Sequence, residues 1–183
     1  MNTYTLNLYT PIPVITRRDR REDNLHSKED QLFTTATMSS TLDSLPPALA
    51  KIVQRFQRVT DQRRRTEQLI IYGNKLKGFP EADKLPENKV PGCVSQVYIT
   101  ASLHDGKVMF QADSDAFISK GMVGLLIEGL NGLTPTEILQ LTPDFIQETG
   151  LNVSLTPSRA NGFYNIFKTM QKKALECKLD LPN

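Results

Sequence analysis

Histidine and cysteine are scarce in this chain, two of each among 183 residues, and they stand far apart. So thin a set makes no convincing zinc site, which needs clustered ligands. No glycine-rich stretch has the spacing of a phosphate loop or a dinucleotide fingerprint. No Gly-x-Ser-x-Gly elbow is present to expose a nucleophilic serine. Long apolar runs are missing as well, so nothing in the sequence is fit to span a bilayer. The first thirteen residues are only mildly apolar and are broken by Asn2, Asn7, Pro11 and Pro13, which does not suit a secretory signal. Neither sign of charge is in real excess: the formal net charge is +2, so bulk electrostatics favours neither a nucleic acid nor a membrane as partner. Together these absences point to a cytoplasmic, reducing setting, in which Cys93 and Cys177 are free thiols rather than a disulfide.

What is present fits one domain preceded by extra chain. Hydrophobic residues make up 39% of the sequence, enough for a single core. Residues 17–30 carry five basic and five acidic side chains with almost nothing apolar, and residues 34–41 are rich in Ser and Thr. Such a stretch cannot offset its ordering entropy by burial, so residues 1–43 read as a disordered extension. The acidic residues among them argue against a transit peptide. Met38, just before the globular pattern, is an alternative start. The ordered domain is expected over residues 44–183.

Within that domain Pro46 and Pro47 suit a first helical turn, and Leu49, Ile52, Val53 and Phe56 follow at helical spacing. A second helix is expected with Thr60 as its cap and Leu69, Tyr72 and Leu76 buried. Its Arg63-Arg64-Arg65 run reads as a solvated face or, as the alternative, a docking surface, and Gly73 weakens the helix slightly. Residues 78–92 read as a long loop, a length that is often functional. The period then changes. Val97, Ile99, Ala101 and Leu103 alternate as in a half-buried strand, Asp105-Gly106 signals a hairpin turn, and Val108, Phe110 and Ala112 alternate on the return. His104, beside the turn, reads as a solvated loop residue. Ile118 to Leu130 is apolar on every side, which predicts a deeply buried helix, with Gly121, Gly124 and Gly129 permitting close packing. Thr134-Pro135-Thr136-Glu137 is a capping box. Thr142-Pro143 and Thr156-Pro157 repeat that kind of start, and the last helix shows Phe163, Ile166, Phe167, Met170 and Ala174 on one face. The fold class is α+β: a small antiparallel sheet covered on one face by helices.

Cys93 lies in Pro91-Gly92-Cys93-Val94-Ser95-Gln96-Val97, where the long loop meets the first strand. Reactive groups tend to be presented at such junctions, and Gly92 lets the thiol turn inward or outward. On spacing alone, Cys93 still reads as a small buried apolar side chain.

Resemblance alters that reading. The run Gly92-Cys93-Val94-Ser95-Gln96-Val97-Tyr98-Ile99 resembles the signature of the SufE family, the sulfur-accepting activators of cysteine desulfurases. Two further blocks agree in order and spacing: Asp113-Ser114-Asp115-Ala116 through Lys120-Gly121, and Leu155-Thr156-Pro157-Ser158-Arg159 through Gly162. Leu76 to Pro80 is similar to the end of the family's N-terminal region. The likeness spans residues 46–175 and leaves out the front extension. Tyr98 stands where many relatives have Trp.

The resemblance implies a SufE/IscU-like fold, shared with the scaffold proteins of iron–sulfur cluster assembly. It implies that Cys93 is the persulfide-carrying residue, sheltered in an apolar pocket until a partner binds, with Gly92 as a hinge. The partners it implies are a SufS-type cysteine desulfurase, whose own pyridoxal phosphate does the desulfuration, and a downstream iron–sulfur scaffold. The chain itself would need no cofactor and no metal, and would be a co-substrate and activator rather than a free-standing enzyme. A single cysteine in the matching region argues against a scaffold role. Arg159 sits in a first helical turn, where the helix dipole disfavours a cation. It is expected either to orient the Cys93 loop or a partner carboxylate, with Asp115 as counter-charge, or to form a plain surface ion pair. Cys177 lies outside the matching blocks and is expected to be incidental. Two alternatives keep the family but change the role. One is activation of a different desulfurase serving another sulfur pathway, the other regulation of the desulfurase without carrying sulfur.

Overall fold

The computed structural model describes residues 42–179. The expectations for the front segment, disorder over residues 1–43 and a start at Met38, lie outside the described residues, except that Leu42 and Asp43 are helical. Helix α1 (Pro47–Gln57) opens on a proline, whose missing N–H costs nothing in a first turn, and buries Leu49, Ile52, Val53 and Phe56. Helix α2 (Gln62–Asn74) is capped by Asp61 rather than by the expected Thr60, the Asp61 carboxylate accepting the Arg64 N–H at 2.8 Å. A carboxylate satisfies that orphan donor and also meets the positive end of the helix dipole, which a hydroxyl does not. Leu76 lies just past the end of α2 and is only half-buried.

The Arg63-Arg64-Arg65 run is not uniformly solvated. Arg63 is exposed and pairs with Glu67 one turn on. Arg65 instead turns inward: its Nε donates to the Val59 carbonyl at 2.6 Å, and one terminal nitrogen donates to the Gly150 carbonyl and the Ser154 hydroxyl, each at 3.3 Å.

Strands β1 (Val97–His104) and β2 (Lys107–Ser114) form an antiparallel hairpin with Val97 opposite Ser114 and His104 opposite Lys107. Asp105 and Gly106 both have positive φ (50° and 74°), as a tight turn matching the strand twist requires. The period-two pattern holds: Val97, Ile99, Val108, Phe110 and Ala112 are buried, while Ser102, Lys107, Met109 and Gln111 are exposed. Both rims of the sheet are occupied. Beside β2, Asn131 accepts the Phe110 N–H at 2.8 Å and returns its amide to the Phe110 carbonyl, while Val108 exchanges backbone bonds with Gly132 and Leu133. Beside β1, the Val90 N–H donates to the Val97 carbonyl at 2.8 Å.

Helix α3 (Phe117–Leu130) packs on β2, and the last helix, α7 (Pro157–Leu179), packs on β1. The architecture is α+β, with the helices on the buried face of the hairpin. As its composition predicts, α3 is the central helix, with Met122, Val123, Leu125, Leu126 and Leu130 almost fully buried. It meets α2 across a seam of glycines. A Cβ on Gly121 would stand 2.6 Å from the Leu69 carbonyl oxygen, one on Gly124 would strike the Tyr72 carbonyl, and one on Gly73 would lie 2.8 Å from the Gly121 nitrogen. Gly73 is therefore more than a weak point in α2: the two backbones could not come this close with a side chain there.

Three short helices, α4 (Pro135–Gln140), α5 (Asp144–Glu148) and α6 (Leu151–Ser154), join α3 to α7. The Thr134–Glu137 capping box is formed reciprocally. On α7, Phe163, Ile166, Phe167, Met170 and Ala174 are buried along one face.

Candidate functional site

The chain reaches Cys93 through residues 78–92, which are less loop-like than expected. Two 3-10 turns, Glu81–Asp83 and Pro86–Asn88, organise them. Asn88 donates to the Asp83 carbonyl at 2.9 Å and accepts Lys173 Nζ at 2.8 Å. Lys84 bridges Glu81 and Asp113 at 2.6 and 3.2 Å, and Lys120 holds the other oxygen of Asp113 at 2.8 Å. Side chains satisfying backbone groups and paired charges give this stretch a fixed path that the composition alone does not reveal.

At the end of that path Gly92 has φ +70°, the left-handed region that a side chain disfavours. Its carbonyl accepts Asn165 Nδ2 of α7 at 3.2 Å. Cys93 then enters a niche between helices. Its thiol is half-buried, lies against the hydrophobic core and donates weakly to the Gly162 carbonyl of α7 at 3.7 Å. Gly162 leaves the space open: the position its Cβ would take is 3.7 Å from Cys93 Sγ and 4.0 Å from Met122 Cε of α3. Loss of water around the thiolate pushes the Cys93 thiol above its ordinary range. Burial thus favours the protonated thiol. The next residue, Val94, is 92% exposed, so the chain passes from shelter to open solvent within one peptide unit.

Beyond Cys93 the backbone is pinned again. Ser95 and Ser119 share a short hydroxyl–hydroxyl bond, Gln96 N–H donates to Asp115 Oδ1 at 2.9 Å, and Asp115 N–H returns to the Gln96 carbonyl at 3.3 Å. Asp115 thus fixes the strand entry just after the cysteine. No ion pair joins it to Arg159 among the described residues. Arg159 is exposed and precedes Gly162 by three residues, one turn along the same side of α7. Its positive charge therefore faces solvent near the niche. His104, exposed, lies at the opposite end of the eight-residue β1 strand, roughly 24 Å along the chain, too far to act as a base for the thiol. Among the described residues no three His, Cys, Asp or Glu side chains are placed to hold a metal ion. Asn165 had no signal in the sequence, since its contact with Gly92 spans 73 residues.

Comparison with known proteins finds a family for the chain. Residues 50–174 match the SufE family model, described as an Fe-S metabolism associated domain; Cys93 falls inside the match and Cys177 outside it. An uncharacterized SufE-like protein of Synechocystis sp. is 69% identical over 148 residues, covering 81% of this chain and 92% of that protein. The cysteine desulfuration protein SufE of Plasmodium falciparum is 35% identical over 146 residues, covering 76% of this chain, which spans 57% of that longer protein. The solution structure of a hypothetical protein from Thermus thermophilus superimposes with a TM-score of 0.65 at 25% identity, covering 74% of this chain and 99% of that one. This chain belongs to the SufE family.

Proposed function

We propose that Cys93 takes the outer sulfur of a persulfide presented by a SufS-type cysteine desulfurase, carries it, and delivers it for iron–sulfur cluster assembly. The observation that carries this reading is the niche: a half-buried thiol against the Gly162 carbonyl, at the end of a segment that turns at Gly92. Inside, burial keeps the sulfur protonated and away from reductants. Outside, its pKa returns toward the ordinary thiol range, and the thiolate fraction that thiol exchange needs becomes available.

In the transfer, Cys93 loses its proton to water and its sulfur attacks the terminal sulfur of the partner's persulfide. A new sulfur–sulfur bond forms on Cys93, the old one breaks, and the partner's cysteine leaves as thiolate. The step is redox-neutral, since one sulfane sulfur changes hands. By emptying the partner's cysteine, the chain is co-substrate and activator of the desulfurase. In this reading the exposed Arg159 cation, one turn from Gly162, steadies the incoming anionic persulfide or a partner carboxylate.

The test is intact-protein mass spectrometry after incubation with desulfurase and cysteine. Wild type and Cys177→Ser should each gain one sulfur atom, and Cys93→Ser none. Sulfur uptake by Cys93→Ser would overturn the assignment. Stimulation of the desulfurase by a wild type that gains no sulfur would instead identify a regulator that carries nothing.

A further inference from the structure

A groove of about 240 Å³ runs along α7 beside the segment that leads to Cys93. Lys89, Lys168, Lys172 and Lys173 line it, opposed by Glu87 and Glu176. The groove thus holds an excess of two positive charges, as large as the formal excess of the whole chain. Lys173 is committed to Asn88. The others are not held tightly: Lys172 reaches Glu176 only at 3.8 Å with both side chains exposed, and Lys168 lies 5.5 Å from the Tyr164 ring centre. Lys89 makes no ion pair among the described residues. Loosely partnered ammonium groups spaced along a helix suit a run of carboxylates better than one planar anion, which would call for arginine.

The groove is joined to the thiol. Pro91 and Asn165 are in its wall, and Asn165 is the residue whose amide holds the Gly92 carbonyl. The fit is close, since a Cβ on Gly92 would stand 2.7 Å from Asn165 Nδ2. We propose that the groove docks an acidic segment of the sulfur-donating partner, and that Asn165 couples docking to release of Cys93. A carboxylate entering the groove takes the amide hydrogens of Asn165, Gly92 loses its clasp, and the cysteine swings out of its niche toward the partner. Asn165 is here a positioning residue. The inference rests on the sulfur-acceptor reading given above.

Two measurements test it. Desulfurase turnover is followed against concentration of this chain, with Lys168→Glu/Lys172→Glu compared to wild type and to Lys107→Glu at the distant hairpin turn. The double variant should raise KM for this chain about tenfold and flatten its salt dependence, while Lys107→Glu behaves as wild type. Separately, alkylation of Cys93 by iodoacetamide is timed in the free chain. A short oligoglutamate should speed it severalfold in wild type, and Asn165→Ala should be fast without the peptide and insensitive to it. Unchanged KM and salt dependence in the double variant overturn the docking surface. Equal alkylation rates in wild type and Asn165→Ala overturn the coupling. Both results would be read on a wild type that does gain sulfur, so failure of the groove is separable from failure of the sulfur-acceptor reading.

Discussion

The Cys93 thiol points at the Gly162 carbonyl oxygen across 3.7 Å, an arrangement that accepts S–H and repels a thiolate. Burial acts in the same direction and raises the thiol pKa. The rate of Cys93 alkylation should therefore climb with pH to a midpoint above the ordinary thiol value of about 8.5, and drop to that value in the unfolded chain. Because the folded state binds this proton more tightly, its contribution to stability is intact below the ordinary thiol range and is lost as pH rises through the raised folded value. A folded-state midpoint at or below the ordinary value would contradict the niche.

Asp113 titrates in the other direction. Partial burial pushes its carboxyl up, but hydrogen bonds from Lys120 and Lys84, with the Ser114 backbone N–H, outweigh this and hold it below the usual carboxylate range. A depressed folded pKa contributes stability above the ordinary aspartate range and loses it as pH falls through the depressed value. Asp113→Asn should cost on the order of 1 kcal/mol at neutral pH in urea unfolding, with the gap to wild type closing in acid. A gap that stays constant down to about pH 3 would show that the charge is not the source.

Gly121→Ala would ordinarily stabilise an exposed helix by about 1 kcal/mol. Here the added methyl meets the Leu69 carbonyl 2.6 Å away, a backbone atom that cannot swing aside. The expected outcome is a net loss of about 1–3 kcal/mol in urea unfolding, through separation of α2 from α3. Gly132→Ala is no control, since its φ is +85°. Gly78, with open space around it and no positive φ, is one, and Gly78→Ala should be near neutral.

Arg65→Ala should cost about 1.5–3 kcal/mol, because it strips a charged donor from the Val59 and Gly150 carbonyls and from Ser154. Arg65→Lys should recover little of this, since one ammonium cannot reach in two directions as the guanidinium does. Arg63→Ala and Arg64→Ala, on the exposed side of the same run, should change stability by less than about 0.5 kcal/mol. Equal effects at all three arginines, followed by thermal or urea unfolding, would count against the clamp.

The contrast within that run shows what a sequence discloses and what it withholds. The hairpin, the capping box at Thr134 and the buried face of α7 follow from short-range periodicity and turn chemistry, and were legible for that reason. Cys93 was legible through its surrounding motif. Arg65 looks identical to Arg63 in sequence, and only the return of the chain at Gly150 decides that it is bonded inward. The same holds for Asn165, which meets Gly92 across the fold, and for Gly73, whose use depends on a helix that begins more than forty residues later. Asp61 displaced Thr60 as cap because two adjacent residues could serve and the helix dipole favours the charged one. The turns within residues 78–92 depend on Lys173 reaching Asn88 and on Asp113 reaching Lys84 across the fold, which no local pattern encodes.

The closed rim of the sheet has a consequence for behaviour at high concentration. A bare two-stranded ribbon is a template on which another chain can add a strand, the first step toward fibrils. Here Asn131 imitates the missing neighbour at Phe110, and Gly132 and Leu133 do so at Val108. None of these three residues belongs to the Cys93 segment. The β2 edge is therefore protected independently of the Cys93 segment, whereas the β1 edge is covered by Val90, which belongs to the run leading into that segment.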